Sequence, residues 1–320
     1  MALPYTSIEA LTQRYVIPIL ADNIFKSNPL FEKFRAKGRK YQGGLAIDQP
    51  LRYARTTSAN SYSGYDTLAV VPSEHYTRAQ YDWKQNYVTV TISGLDQIKN
   101  SGKEAIINYL QSEMETARLT LEDNLGYQLF SLGTAADTAG YGRGAKGITG
   151  LKSAVDDSSV VDTYGGILRS TYTWWKSTVI DMSATALTLK GIQGAIGDVQ
   201  DGSDRSDLII TSQDIFDFLW GLMQPQQRYQ EGDLAKAGWL NLLVSGVPIV
   251  VDTRCASNDI WILNTKHLDF ITSTGYDFKM TDFRRPTNQD AEVAQILIAG
   301  NLVSSKCSAQ CRMKTVDLTL

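Results

Sequence analysis

Side chains that could do chemistry are few in this chain and widely spaced. There are two histidines, His75 and His267. A nucleophilic hydrolase needs a serine on a G-x-S-x-G elbow with a base and an orienting acid, and no such elbow occurs. The run "GYGRGAKGITG" sets Lys146 among glycine amides, a composition that can cradle phosphate. It lacks the G-x-x-x-x-G-K-[ST] order of a Walker A loop and reads better as a connection. Cys307 and Cys311 stand four apart without a second pair or a neighbouring histidine, short of the ligand set of a zinc site. Asp198, Asp201, Asp204 and Asp207 recur every third residue, whereas a calcium-binding EF-hand loop needs acids at alternate positions and a closing glutamate. They read as a solvated loop. The sequence therefore assigns no catalytic residue, no cofactor and no metal.

The elements that would position any site belong to a folded chain of 320 residues, 43% hydrophobic and 20% charged. A chain of this length can bury a large core without disulfides or metals. A net charge of −3 argues against nucleic-acid binding driven by the whole surface. One basic run stands out: "KFRAKGRK" holds Lys33, Arg35, Lys37, Arg39 and Lys40. It is either a solvated face or a contact for a polyanion. No stretch approaches the roughly 18 to 20 apolar residues that span a bilayer, so no membrane partner is expected. Glu9, Gln13 and Arg14 interrupt the first segment, so no secretory signal is expected. The three cysteines, Cys255, Cys307 and Cys311, suit a reducing compartment and reduced thiols.

Residues 1–43 read as broken helix: a capping box at Thr6 to Glu9, an interruption at Pro18, then Asn28 as N-cap with Pro29 behind it and Gly38 as the stop. Residues 44–92 read as a long hairpin whose tip, "SANSYSGY", is rich in turn residues. Its return strand, 78–92, would be about 50 Å long at about 3.3 Å per residue, far above the usual strand. Tyr81, Trp83 and Tyr87 share one face, whereas Val88, Val90 and Ile92 share the other. A stripe that changes face needs a bulge or a change of surroundings. Residues 103–132 predict one long helix with Ile106, Leu110, Met114, Ala117, Leu121 and Leu125 along a single stripe. Adjacent Trp174 and Trp175, if in a strand, would point to opposite faces, leaving one for a contact between subunits; the alternative is a local loop that packs both. "DLIIT", "VPIVVD" and "DIWIL" read as buried strands of a compact α/β region with a helix in "SQDIFDFLWGLM", where Ser212 is the candidate cap. Strands return in "AEVAQILIAGNLVSS" and "CRMKTVDLTL".

The long polar arm is more surface than one body can cover. Natural sheets blunt their edges unless pairing is intended. Sixteen tyrosines add side chains favoured at protein interfaces.

The order of these elements, and the strings "YDWKQNYVTVTISGLDQIKNSGKEAI", "GITGLKSAV", "TYTWWKS", "DLIITSQDIFDFL", "QPQQRY" and "AGWLNLLVSGVPIVVD", resemble tailed-bacteriophage major capsid proteins, a fold shared with encapsulins. The resemblance covers nearly the whole chain. It implies an α+β fold with an N-arm (1–43), an extended hairpin or E-loop (44–92), a P-domain (93–180 and 276–320) with spine helix 103–132, and a compact α/β A-domain (181–275). It implies a structural role and no enzymatic one: copies would form pentamers and hexamers of an icosahedral shell around double-stranded DNA, in a virion assembled in a bacterial cytoplasm. An encapsulin-like shell is the alternative. The E-loop would lie across a neighbour's P-domain through Tyr53, Arg78, Tyr81, Trp83 and Tyr87. The P- and A-domains would meet neighbours through Trp174, Trp175, Arg228, Tyr229 and Trp239. The spine would face the shell interior, and Lys33, Arg35, Lys37, Arg39 and Lys40 would face DNA or a neighbour. Separate scaffolding, portal and decoration proteins are further candidate partners.

Overall fold

The computed structural model describes residues 28–68, 70, 72–99, 109–135, 137, 141, 144–223 and 242–318. The capping box at Thr6, the break at Pro18, the first turns of the 103–132 helix, and Arg228, Tyr229 and Trp239 lie outside the described residues.

Helix Pro29–Lys37 starts as its sequence dictates: the Asn28 side chain accepts from the Phe31 amide at 3.3 Å, and Gly38 ends the helix with φ of 58°. It buries Leu30, Phe31 and Phe34. The spine helix is described over Tyr109–Leu129. Ala117, Leu121, Leu125 and Leu129 form its buried stripe, with Met114 partly buried above them. Gly126 is a point of close approach: a Cβ there would meet Asn28 Nδ2 and the Arg254 side chain, so the N-arm cap and a loop of the distant sheet converge on the spine.

Two sheets carry the chain. One holds strands Lys40–Tyr41, Leu268–Ser273, Ala291–Ser304 and Lys279–Met280 in that order, with Lys84–Ser93 also paired to Ala291–Ser304. The other is six-stranded: Thr178–Asp181, Cys311–Lys314, Ile260–Leu263, Leu208–Thr211, Val247–Val251 and Leu242–Val244. Its central strands separate two cores, because alternate side chains point to opposite faces. Leu208, Ile210, Trp261 and Leu263 join the spine's core. Ile209, Ile260 and Ile262 join a second core with helices Leu189–Asp198 and Gln213–Met223.

In this topology strands pair across the boundaries expected from sequence. Leu268–Ser273, expected within the 181–275 α/β domain, pairs with Ala291–Ser304 in the other sheet. Cys311–Lys314 and Thr178–Asp181, expected in the surrounding domain, belong to the six-stranded sheet. After Leu263 the chain crosses between sheets twice, and these crossings are tied together: the Asn264 amide donates to Gln310 Oε1 at 2.9 Å and Gln310 Nε2 donates to Asn264 O at 3.0 Å, both side chains buried. Ser212 stands directly before helix Gln213–Met223, and its hydroxyl donates to Ser257 O at 3.2 Å.

The 44–92 hairpin is also redrawn. Ile47–Arg52 pairs with Tyr76–Tyr81 in a two-stranded sheet. The chain then breaks at Asp82 and Trp83, and Lys84–Ser93 pairs along Ala291–Ser304 instead. Asn301 Nδ2 donates to Asp82 O at 2.9 Å and pins the break. The change of face seen in the sequence is this change of sheet: Ala79 and Tyr81 are buried before it, Val90 and Ile92 after it.

Candidate assembly surfaces

The arm has a covered root and an uncovered tip. Tyr81, expected to bury against a neighbour, lies in the subunit's own core at 3% exposure. Its hydroxyl donates to Ser304 O at 2.9 Å and its ring meets Tyr164 edge-on at 5.2 Å. Burial raises the titration of both phenols well above the ordinary range. The physical reason is the turn Gly165–Gly166. Gly165 O accepts from the Gln80 amide at 2.9 Å, and its missing Cβ lets Ala79 and Tyr81 close on the backbone. Trp83 is partly buried against the same core, with Nε1 donating to Gly44 O at 3.1 Å. Arg78 pairs with Asp48 at 3.2 Å on the arm's surface.

Trp174 and Trp175 do not lie in a strand. They occupy a single 3₁₀ turn, Thr173–Trp175. Trp175, also expected at an interface, is buried and donates through Nε1 to Tyr164 O at 2.9 Å. Trp174 is partly buried and stacks on Tyr53 at 5.7 Å and 22°. Beyond Tyr53 the picture reverses. Among the described residues of 54–75 there is no strand, and Tyr62, Tyr65, Leu68 and Val70 are exposed, Tyr65 completely. Tyr76 and Tyr87 are exposed as well, at 69% and 68%.

The basic run of the N-arm is committed to its own subunit. Lys33 pairs with Asp207 at 3.1 Å, Arg35 with Glu122 at 2.6 Å, Arg39 with Asp269 at 2.7 Å and Lys40 with Asp277 at 2.5 Å. Lys37 donates to the Thr265 and Leu268 carbonyls and to Asp269. Each cation thus has a partner on its own subunit, distant along the chain, which sequence alone could not reveal.

Two of the four aspartates, Asp204 and Asp207, form a clasp; Asp198 and Asp201 are exposed. Asp204 accepts from Asn264 Nδ2 at 3.0 Å and from His267 Nε2 at 2.6 Å, while Asp207 accepts from the Thr265 amide and hydroxyl. Burial pushes Asp204 upward, but the hydrogen bonds from Asn264 and His267 outweigh it and hold the carboxyl at about 2. His267 Nδ1 meets Ser305 Oγ at 3.1 Å, which completes a Ser–His–Asp line. The Ser305 amide, the nearest donor for an oxyanion, is already bonded to His267 O at 2.9 Å. The trio therefore ties the two chain crossings together. His75 Nε2 shares the hydroxyls of Ser73 and Thr56 inside the arm.

Sequence reasoning missed two buried arginines. Arg254 bonds Asp123 of the spine at 2.5 Å, and Asp252 lies beside it at 3.6 Å with one oxygen buried and unpartnered. Burial raises the Asp252 carboxyl despite Arg254. Arg169 reaches three backbone carbonyls, of Trp175, Val161 and Ala154, over the Tyr164 ring. A charge directly after the apolar run "VPIVVD" was the one visible signal for Arg254. Among the described residues no cluster of three His, Cys, Asp or Glu side chains is placed to hold a metal. No described helix is long and apolar enough to cross a membrane. The three thiols are free, and burial raises each of them, Cys311 to about 12.

No protein-family model and no curated protein sequence matches this chain. Solved structures do. The capsid asymmetric unit of cyanophage A-1(L) is 19% identical with a TM-score of 0.70, covering 96% of this chain and 98% of that one. The capsid of a native GTA particle is 9% identical with a TM-score of 0.64, covering 96% of both chains. The SrpI encapsulin of Synechococcus elongatus PCC 7942 is 8% identical with a TM-score of 0.62, covering 100% of this chain and 98% of that one. The chain therefore has the α+β fold of shell-forming proteins. That fold is the one found in phage capsid proteins and encapsulins, and it is matched over the full length.

Proposed function

We propose that this protein is the major capsid protein of a tailed phage, a structural subunit that assembles into pentamers and hexamers of a closed icosahedral shell around double-stranded DNA. The uncovered outer arm carries this reading. Residues 53–75 expose Tyr62, Tyr65, Leu68 and Val70 to solvent in an isolated subunit. Large side chains of this kind are cover for a neighbour rather than for their own fold. Tyr87 on the outer face of the Lys84–Ser93 strand supplies apolar surface of the same sort. The spine helix faces the interior, Arg228, Tyr229 and Trp239 contribute to contacts around local axes, and scaffolding, portal and decoration proteins join from outside this chain. Closed shells need heterologous contacts that return on themselves. The test is to replace residues 56–73 with a short glycine turn, which spares both arm strands and the Tyr53 stack. The expected product is a soluble, folded subunit that forms no closed shell in electron microscopy. Normal particles from it would refute the reading.

The encapsulin likeness, which spans the whole chain, supports a second reading, a shell around a protein cargo. Particle contents separate the two: DNA or scaffold in one case, an enzyme in the other.

A further inference from the structure

Trp174 and Tyr53 are placed to set the direction of the arm. The arm's strand pair is fixed to the body by buried Ile47, Leu51, Ala79 and Tyr81. Tyr53 lies two residues beyond buried Leu51, about 7 Å further out at about 3.4 Å per residue. Its amide donates to His75 O at 3.0 Å and closes the paired part of the hairpin. Among the described residues, Tyr53 is the outermost arm residue with a ring contact to the body. That contact is one flat stack on Trp174.

The stack has a rigid base and open flanks. Trp174 rests on Trp175 at 5.5 Å and on Tyr172 at 6.2 Å, and Trp175 is buried and bonded to Tyr164. On either side of the Tyr53–Trp174 pair lies an unfilled cleft. One of about 320 Å³ is bounded by Glu74, Tyr76 and Tyr172, and one of about 390 Å³ by Arg52, His267 and Lys306. Beyond buried Leu51, the stack is the ring contact that ties the outer end of the strand pair to the body. Trp174 Nε1 is buried without a hydrogen-bond partner. The ring's area and thickness carry this contact, and its polarity contributes nothing.

We propose that Trp174 is a positioning residue for assembly: through Tyr53 it fixes the arm's angle to the body, and so fixes where a neighbouring subunit is met. This rests on the shell-forming reading above. Removing the indole opens a gap of about one contact layer, about 3.5 Å. A gap of that size at the outer end of the strand pair lets the residues beyond Tyr53 shift by a comparable distance. An error of that size repeated at every contact changes curvature or prevents closure.

Three variants test it: Trp174→Ala, Trp174→Phe and Tyr53→Ala. Trp174→Phe keeps a stacking ring and removes the unpartnered N–H, so it should give shells of wild-type diameter. Trp174→Ala and Tyr53→Ala should remain soluble and folded but give shells of shifted or broadened diameter, or open sheets, in electron microscopy. Tyr53→Ala does not touch the core around Trp175, so it carries the test alone should Trp174→Ala fail to fold. Wild-type diameters from folded Tyr53→Ala would overturn the proposal. Arm angle is also read in single subunits, from spin labels on Arg52→Cys and Lys190→Cys. Both positions are exposed, whereas the native cysteines are buried and stay unlabelled. The label distance should shift or broaden in Tyr53→Ala and hold in Trp174→Phe, and an unchanged distance in Tyr53→Ala would overturn the proposal. A wild-type chain that forms no shell defeats the shell reading, and the label distances still judge the stack.

Discussion

Two tyrosines six residues apart, Tyr81 and Tyr87, separate what the subunit covers from what it leaves bare. Tyr81 is 3% exposed, meets Tyr164 at 5.2 Å and donates to Ser304 O at 2.9 Å. Truncating a buried aromatic to alanine costs about 3–5 kcal/mol. Loss of its hydrogen bond to a buried carbonyl adds about 1 kcal/mol. The sum of about 4–6 kcal/mol is a large share of the total stability of an ordinary domain. At about 2 °C per kcal/mol for a chain of this size, Tyr81→Ala should lower the melting temperature by about 8–12 °C. Tyr87 is 68% exposed, and surface substitutions usually stay within about 0.5 kcal/mol, so Tyr87→Ala should move melting by about 1 °C. In assembly the order reverses. Aromatic anchors at interfaces are worth about 1–2 kcal/mol or more. A loss of about 1.4 kcal/mol per contact raises the concentration needed for assembly about tenfold. Scanning fluorimetry below the assembly threshold measures the first quantity, and light scattering across a dilution series measures the second. A Tyr81→Ala melting point within 2 °C of wild type, or a Tyr87→Ala loss equal to that of Tyr81→Ala, refutes the division.

Two ionisable residues give predictions with opposite signs. The folded-state titration of Asp252 is raised, because burial disfavours its charge more than Arg254, at 3.6 Å, restores it. Its contribution to stability is therefore complete below the unfolded carboxyl range near 4 and is lost as pH rises through the folded value. Asp252→Asn should melt higher than wild type at pH 7 and converge with it below about pH 4; a lower melting point at pH 7 would mean that the ion pair outweighs burial. Asp204 is depressed to about 2, so its contribution holds above the unfolded carboxyl range and disappears as pH falls toward 2. Wild type should lose melting temperature over that acid interval and Asp204→Asn should lose less, as a pH series of melting curves would show; parallel curves would remove the clasp from the account.

Much of the scaffold was legible because its signals are local. "DLIIT" and "DIWIL" are short apolar runs, and their strands are buried on both faces between two cores. The stripe from Ala117 to Leu125 repeats at helical spacing and is the buried side of the spine. Asn28, Pro29 and Gly38 bounded their helix through capping chemistry written within ten residues. What stayed hidden depends on partners far along the chain. Cys311–Lys314 looked like any returning strand, and only pairing with Ile260–Leu263 and Thr178–Asp181 places it in the other sheet. The basic run suggested a polyanion because Asp207, Glu122, Asp269 and Asp277 are invisible from Lys33 to Lys40. The change of face after Tyr81 marked the site of the strand break, but not its cause, the Asn301 contact with Asp82. For the candidate interfaces, sequence identified the aromatic residues and not their burial: Tyr81 and Trp175 went to the core, and Tyr62 and Tyr65 carry the exposure instead.

The central claim is that sister copies cover what one copy cannot. Cryo-electron microscopy of the purified chain tests this most directly. The expected density is a closed shell in which residues 53–75 lie against an adjacent subunit and Tyr62, Tyr65 and Leu68 lose their solvent exposure. A monomer at every concentration, or particles whose arm tips stand free in solvent, would contradict it.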